Sequence, residues 1–502
     1  MVTGGGTSVL LAGPRGIVVS STVISGALVF DLEAPFAQAD VLIVDGRIDT
    51  VAANLSGRGD RVIDANGSIL MPGLINAHTH SNQTIEKGLA DRLPLDSWMV
   101  LASYGGAGAR LSPHDGYVSA SLGIVEMLRT GTTSVVDCVR VDRERWHESM
   151  DAVATAYVDS GMRATVAAQF ADLDFFASLP EGILDSSAIE RRDPVPTPII
   201  MTELEAFLDR WQGRHPLVVP ALGPSSLPRC STELFAASVD LARTRGVALQ
   251  THLLSAKSQV VVAQERFGGS TVDYLARLEA LESWVSLAHG IWISDEEIAR
   301  LAETDAVLVH NPVSNLKLGA GVAPAPAMSR AGVTIALGSD GASSNDSQNM
   351  FETVKQAALV HRTGTTSDAW PSAMDVLGWC WMGGAKAMDR PLGRIAPGYD
   401  ADVVLLKPGH LQTAPKEIVA QQLVYGELGS SVDTVIVDGD VILEDGEFTV
   451  LDEAGILGEA QALADRIWAG LPERQERFNA VKADLDTLEQ AVARLDVGFE
   501  RP

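Results

Sequence analysis

Cysteine is scarce in this chain. The three present, Cys138, Cys230 and Cys380, are odd in number and far apart, so neither a disulfide framework nor a Cys-x-x-Cys zinc site is available. Any metal must be held by histidine and carboxylate. Basic charge is also short: 38 Lys and Arg stand against 65 Asp and Glu, for a formal net charge of -27. Such a chain repels nucleic acid and anionic membrane, which leaves a small neutral molecule as the expected ligand. No run of about 18 apolar residues offers a membrane span, and the start, Met-Val-Thr-Gly-Gly-Gly, lacks the basic residues of a secretory signal. A cytoplasmic location is expected.

With 502 residues, the chain exceeds what one core usually organises, so a large domain with a smaller companion is expected. Short β-branched segments, Val18 to Ser25, Ala27 to Asp31, Ala39 to Val44, Ile48 to Ala52 and Val62 to Ala65, are punctuated by Asp-Gly and Asn-Gly turns. The same pattern returns at Asp402 to Leu406, Val432 to Val437 and Val441 to Leu443. The two ends therefore pair into one small β-sandwich, built from residues 1–73 and 394–450. After Asp452, the apolar positions Leu463, Ile467, Leu471 and Phe478 among charges predict packing helices over 451–502.

Residues 74–393 hold eight short apolar runs separated by helical periodicity. They are Leu74 to Ala77, Thr133 to Cys138, Arg163 to Phe170, Leu217 to Leu222, Val247 to His252, Val285 to His289, Ala306 to Asn311 and Thr334 to Asp340. Eight such alternations predict a (β/α)8 TIM barrel, whose active sites form at the C-terminal ends of the strands. Five of the 10 histidines fall at those ends: His78, His80, His252, His289 and His310. Asp340 closes the last run. His78 and His80 are two apart, so in an extended strand end they face the same side and can share one ion.

The stretches PGLINAHTH (Pro72 to His80), LQTHLL, LAHG, VHNPVSNLKLGAG and LGSDGASSND, in this order and at these separations, resemble the amidohydrolase superfamily. The likeness runs from about Val18 to Glu444. It is strongest to the branch of triazine hydrolases, phenylurea and molinate hydrolases and the S-adenosylhomocysteine and guanine-type deaminases. The resemblance implies His78, His80, His252 and Asp340 as metal ligands, with His289 a further ligand or a contact to water and substrate. It also implies a homodimer or homotetramer, and it makes Leu93 to Trp98 resemble that branch's substrate-covering loop. Relatives with two metals carry a lysine after the fourth strand. The stretch Ala221 to Ser226 has none, so one divalent ion per chain is expected, zinc or else cobalt, manganese or iron.

Such an ion lowers the pKa of its water to about 7, and Asp340 can accept the proton. One departure bears on the reaction. Deaminases of this branch carry His-x-x-Glu after strand five, whereas here the residues are His252-Leu253-Leu254-Ser255. Serine cannot replace a titrating acid, and the loss costs roughly 10²- to 10⁴-fold in a reaction that needs ring protonation. The expectation is therefore hydrolysis of a urea, carbamate, thiocarbamate or amide. The alternatives are an aminohydrolase or chlorohydrolase acting on a nitrogen heterocycle, with Glu203 or a loop acid as substitute, and a non-catalytic metal-binding scaffold. Trp98, Ser255, Asn311 and Asn315 are the remaining candidates for substrate contact, and Asp172 to Pro198 for a lid.

Overall fold

The computed structural model describes residues 21–33, 36–88, 91–100, 111–141, 143–183, 193–363, 365–409 and 418–501. The first residues of the expected opening strand, part of the expected lid (184–192) and His410 lie outside them.

Nine of the described strands form one mixed sheet from both ends of the chain. From the N-terminal side come β1 (Ser21–Val29), β2 (Ala37–Val44), β3 (Arg47–Ala52), β4 (Arg61–Asp64) and β5 (Ile69–Pro72). From the C-terminal side come β14 (Val403–Leu406), β15 (Val432–Val437), β16 (Asp440–Glu444) and β17 (Glu447–Phe448). The halves meet where β5 runs antiparallel to β14. Two segments expected as separate strands around Gly26 are one strand, β1, with a bulge between Ile24 and Ala27 and Gly26 at φ 77°. The Asp-Gly turns at Asp45, Asp438 and Asp445 all have positive φ at both residues, the geometry that matches strand twist in a tight hairpin. Ile24, Val41, Ile43, Leu70, Val403 and Ile436 are among the core residues of this sheet.

The second sheet is the expected barrel. Its strands, in spatial as in chain order, are β6 (Leu74–Thr79), β7 (Thr132–Val139), β8 (Arg163–Phe170), β9 (Val218–Pro224), β10 (Leu249–Leu253), β11 (Val285–His289), β12 (Val307–His310) and β13 (Thr334–Leu337). Each recorded pairing is parallel, and β6 and β7 are buried along their whole length, because helices cover the outside and side chains fill the inside. The seam between β13 and β6 is stitched beyond the ladder. The Asp340 N–H donates to the His78 carbonyl at 2.9 Å, the Ser339 N–H to Asn76 Oδ1 at 3.0 Å, and Asn76 Nδ2 to Ser339 Oγ at 2.7 Å.

Two long helices, Glu453–Ala469 and Leu471–Ala493, follow the mixed sheet. The second packs Phe478, Val481, Leu485 and Leu488 against Val100, Phe175 and Leu179, on loops at the barrel mouth.

At the opposite end of the barrel, Arg163 begins β8 with 2% of its surface exposed. Its Nε and Nη2 reach the two carboxylate oxygens of Asp402, both at 2.9 Å, and Nη2 reaches Asp438 Oδ1 at 2.9 Å. Asp402 also accepts from Ser134 Oγ and from the Asp438 N–H, at 2.9 Å each. This bidentate arrangement fastens the barrel to the C-terminal half of the mixed sheet. Removing one partner strands a buried charge, at a cost of about 3–5 kcal/mol. Arg163→Met is therefore expected to lower the chemical-denaturation midpoint clearly, while Arg61→Met, in a half-exposed pair with Glu444, shifts it by at most about 1 kcal/mol.

Candidate metal centre

Asn76 and His78 alternate along β6 with Ala77, and His80 follows at the strand end. His252 and His289 stand at the ends of β10 and β11, and Asp340 follows β13. These positions converge. His78 Nε2 and His80 Nε2 lie 3.5 and 3.4 Å from Asp340 Oδ1, and His252 Nε2 lies 3.3 Å from His80 Nε2. Ligand atoms of His78, His80 and Asp340 lie within 4.8 Å of one another, as do those of His78, His252 and His289. The two groups share His78, so they describe one centre.

The tautomers follow from the partners on the far side of each ring. Gln250 spends its amide N–H groups on the Ala77 carbonyl and Ser286 Oγ, both at 2.9 Å, so its Oε1 accepts from His78 Nδ1 at 2.7 Å. His80 Nδ1 donates to the Cys138 carbonyl at 2.5 Å, and His252 Nδ1 to the Ser225 carbonyl at 2.6 Å. His289 Nδ1 pairs with Asn315 Oδ1 at 2.9 Å. Every Nε2 is thereby left as a lone pair aimed inward, and that of His78 is buried with no hydrogen-bond partner.

Electrostatics agree with this assignment. Burial, reinforced by the neighbouring rings, holds His80 down to about 4 and His252 well below the ordinary histidine value; burial also lowers His289. Burial opposes the charge of Asp340, but the His78, His289 and His80 rings beside it outweigh that, and its carboxyl is held well below the usual range. Asp340 also accepts from Ser314 Oγ at 2.6 Å and from the Gly341 N–H at 2.7 Å. Neutral imidazoles beside one anionic carboxylate form the donor set of a divalent cation such as zinc.

The centre opens into a cavity of about 540 Å³, of a size for a small organic ligand. His80, His252, His289 and Asp340 form one part of its wall, with Trp98 and Ser255 also lining it. Glu203 lines it too, but pairs with His147 Nε2 at 2.5 Å. From the expected lid, Asp172, Phe175, Ser178, Asp193 and Val195 contribute. Asp96 is a further cavity acid, pushed up to about 6 by burial and by the charge of Glu489 on the last helix.

Three candidates fall elsewhere. Asn315 is buried, its side chain tied to His289 Nδ1 and not on the cavity wall. Asn311 is fully buried behind His289, its Nδ2 3.4 Å from the His289 Nδ1, and not on the cavity wall. His310 is not part of the centre. Strand alternation turns Val307 and Val309 into the barrel and His310 outward, where its ring lies 5.3 Å from that of His361. Three supporting residues escaped the sequence reading. Gln250 was discoverable, because it precedes His252 by two and so shares its face. Ser314, on the short helix Pro312–Lys317, and Gln259, a turn after Ser255, carry no such signal.

Two outcomes are expected of the metal site. Elemental analysis should find about one divalent ion per chain, lost in His78→Ala. Chelator competition on Gln250→Leu should show metal affinity weakened about 10- to 100-fold.

Comparison with known proteins places this geometry. The Amidohydrolase family model matches residues 69–442. The chain is 35% identical over 445 residues to a 5'-deoxyadenosine deaminase of Methanothermobacter thermautotrophicus, covering 88% of this chain and 98% of that protein. It is 32% identical over 435 residues to a 5-methylthioadenosine/S-adenosylhomocysteine deaminase of Pyrococcus furiosus, covering 86% and 97%. Among solved structures, a zinc-bound adenosine deaminase from Xanthomonas campestris superposes with a TM-score of 0.79 at 28% identity, over 89% of this chain and 98% of that one. A zinc complex of atrazine chlorohydrolase from Arthrobacter aurescens gives 0.79 at 26% identity, over 88% and 100%. With its barrel, its converging histidines and Asp340, and these likenesses over most of its length, the chain belongs to the amidohydrolase family and is a metal-dependent hydrolase.

Proposed function

We propose that this enzyme deaminates an adenosine-type purine nucleoside by hydrolysis. The observation that carries the reading is the likeness, over nearly the full length of both proteins, to deaminases of 5'-modified adenosines. It displaces urea or carbamate hydrolysis as the first expectation, which rested largely on Ser255. The cavity is wide enough for a nucleoside, and its wall carries the hydrolytic groups at one end.

His78, His80, His252 and Asp340 would hold the cation, with His289 beside them. A bound divalent cation supplies Lewis acidity and a water that ionises near neutral pH. Asp340, anionic and oriented by Ser314 and Gly341, takes the proton from the attacking water. His289, fixed through Nδ1 by Asn315, presents Nε2 to the reacting group. Water's oxygen bonds to the ring carbon and the bond from that carbon to the amine breaks. One water proton goes to the ring nitrogen and the other leaves with the amine as ammonia.

A second reading survives on one observation. At Ser255 the cavity wall offers a hydroxyl and no titrating acid, which suits a carbonyl substrate such as an N-aryl urea or thiocarbamate. Ammonia assays with 5'-deoxyadenosine and 5-methylthioadenosine, the substrate types of the relatives, separate the two. Ammonia release from these nucleosides is expected, with kcat lowered at least about 100-fold in Asp340→Asn. Turnover of ureas or thiocarbamates with no ammonia from the nucleosides would overturn the proposal in favour of the second reading.

A further inference from the structure

The residue that stands where the deaminase glutamate is expected is held in an unusual way. At the end of β10, Leu254 adopts φ 44°, a left-handed conformation that leucine rarely takes. Two hydrogen bonds from the end of β11 sustain it. The Gly290 N–H donates to the Leu253 carbonyl at 2.9 Å, and the Trp292 N–H to the Leu254 carbonyl at 3.0 Å. The reversed backbone delivers Ser255, 8% exposed, to the cavity wall before the helix Lys257–Arg266 begins.

Gln259, one turn along, then closes a reciprocal pair. The Ser255 N–H donates to Gln259 Oε1 at 3.0 Å, and Gln259 Nε2 donates to Ser255 Oγ at 3.1 Å. The directions are forced. A backbone N–H can only donate, so the carbonyl end of the amide must face it; the amino end must then face the hydroxyl, whose oxygen accepts. The proton of Ser255 is left without a role in the pair. No acceptor among the described residues takes it, and the side chain borders the same cavity as His252, His289 and Asp340.

We propose that Ser255, oriented by Gln259, is a specificity-determining residue that donates a hydrogen bond to an acceptor atom of the substrate beside the reacting carbon. The proposal rests on the deaminase reading. In an adenosine-type ring that acceptor is the pyridine-type nitrogen next to the amine-bearing carbon. A serine hydroxyl does not titrate in the working range, so it recognises this nitrogen without protonating it.

The test uses two ligands that cannot be deaminated, with binding to the metal-loaded enzyme measured by calorimetry. One is a purine nucleoside bearing methyl in place of the amine. The other is its counterpart with C–H in place of the neighbouring ring nitrogen. The enzyme is expected to prefer the nitrogen ligand about five- to tenfold. Ser255→Ala should abolish the preference with full metal content retained, Gln259→Leu should weaken it, and Ser255→Thr should restore it. Equal binding of both ligands by the unaltered enzyme would overturn this proposal and leave the deaminase reading standing. Binding of neither, with no ammonia released from adenosine-type nucleosides, would overturn both. A preference that persists undiminished in Ser255→Ala would assign the discrimination to another residue and overturn the role given to Ser255.

Discussion

Several inward-pointing imidazole lone pairs around one carboxylate are the constraint on which the rest of this structure depends. Without a cation the arrangement is unfavourable, since His80 and His252 set two nitrogen lone pairs 3.3 Å apart and His78 Nε2 is buried with nothing to accept from. A frame must therefore hold it in place. The barrel and its loops are that frame: each ring is tied behind, by Gln250 on β10, the Cys138 carbonyl on β7, the Ser225 carbonyl after β9 or Asn315 on the short helix after β12. The seam closes through the backbone of two of the converging residues themselves, with the Asp340 N–H donating to the His78 carbonyl. Closing the barrel and assembling the centre are one geometric event.

Positive φ at Asp340 and His289, 62° and 82°, shows the same coupling locally. Both residues stand where a strand has ended and the chain must turn while the side chain stays over the barrel axis. Non-glycine residues held there store strain, and such strain persists only when surrounding bonds over-determine it. Asp340 has its hydrogen bonds to Gly341 and Ser314, and the turn after β10 has those from Gly290 and Trp292. Rigidity is concentrated at the strand ends where the cavity begins.

The barrel was legible in sequence because its strands are buried on both faces and their polar residues cluster at one end. All eight runs correspond to observed strands within a few residues. What failed did so for definable reasons. β5 has four consecutive buried residues and ends in proline, so it shows no alternation, yet it joins the two halves of the mixed sheet. His310 was grouped with the other strand-end histidines because its place in sequence is the same as theirs; only the register of β12 reveals that it points away. Candidate ligand positions could be read from spacing, but the residues that set their tautomers come from other strands, strand ends or a short helix. Of these, only Gln250 had a visible relation to a ligand.

The substrate preference is where sequence and comparison pull apart. Ser255 argues for a carbonyl substrate if the position is read as an acid that was lost. The Gln259 clamp changes that reading, because a residue merely filling space needs no partner that fixes its polarity. A lost acid requires another proton source near the ring nitrogen and the leaving group, and an installed donor requires in addition a substrate with an acceptor there. Glu203 is engaged with His147, and Asp96 lies beneath the last helix with its charge disfavoured by burial and by Glu489. On the proposed reading, Asp340 carries the proton of the reacting water and the hydroxyl of Ser255 recognises the ring nitrogen.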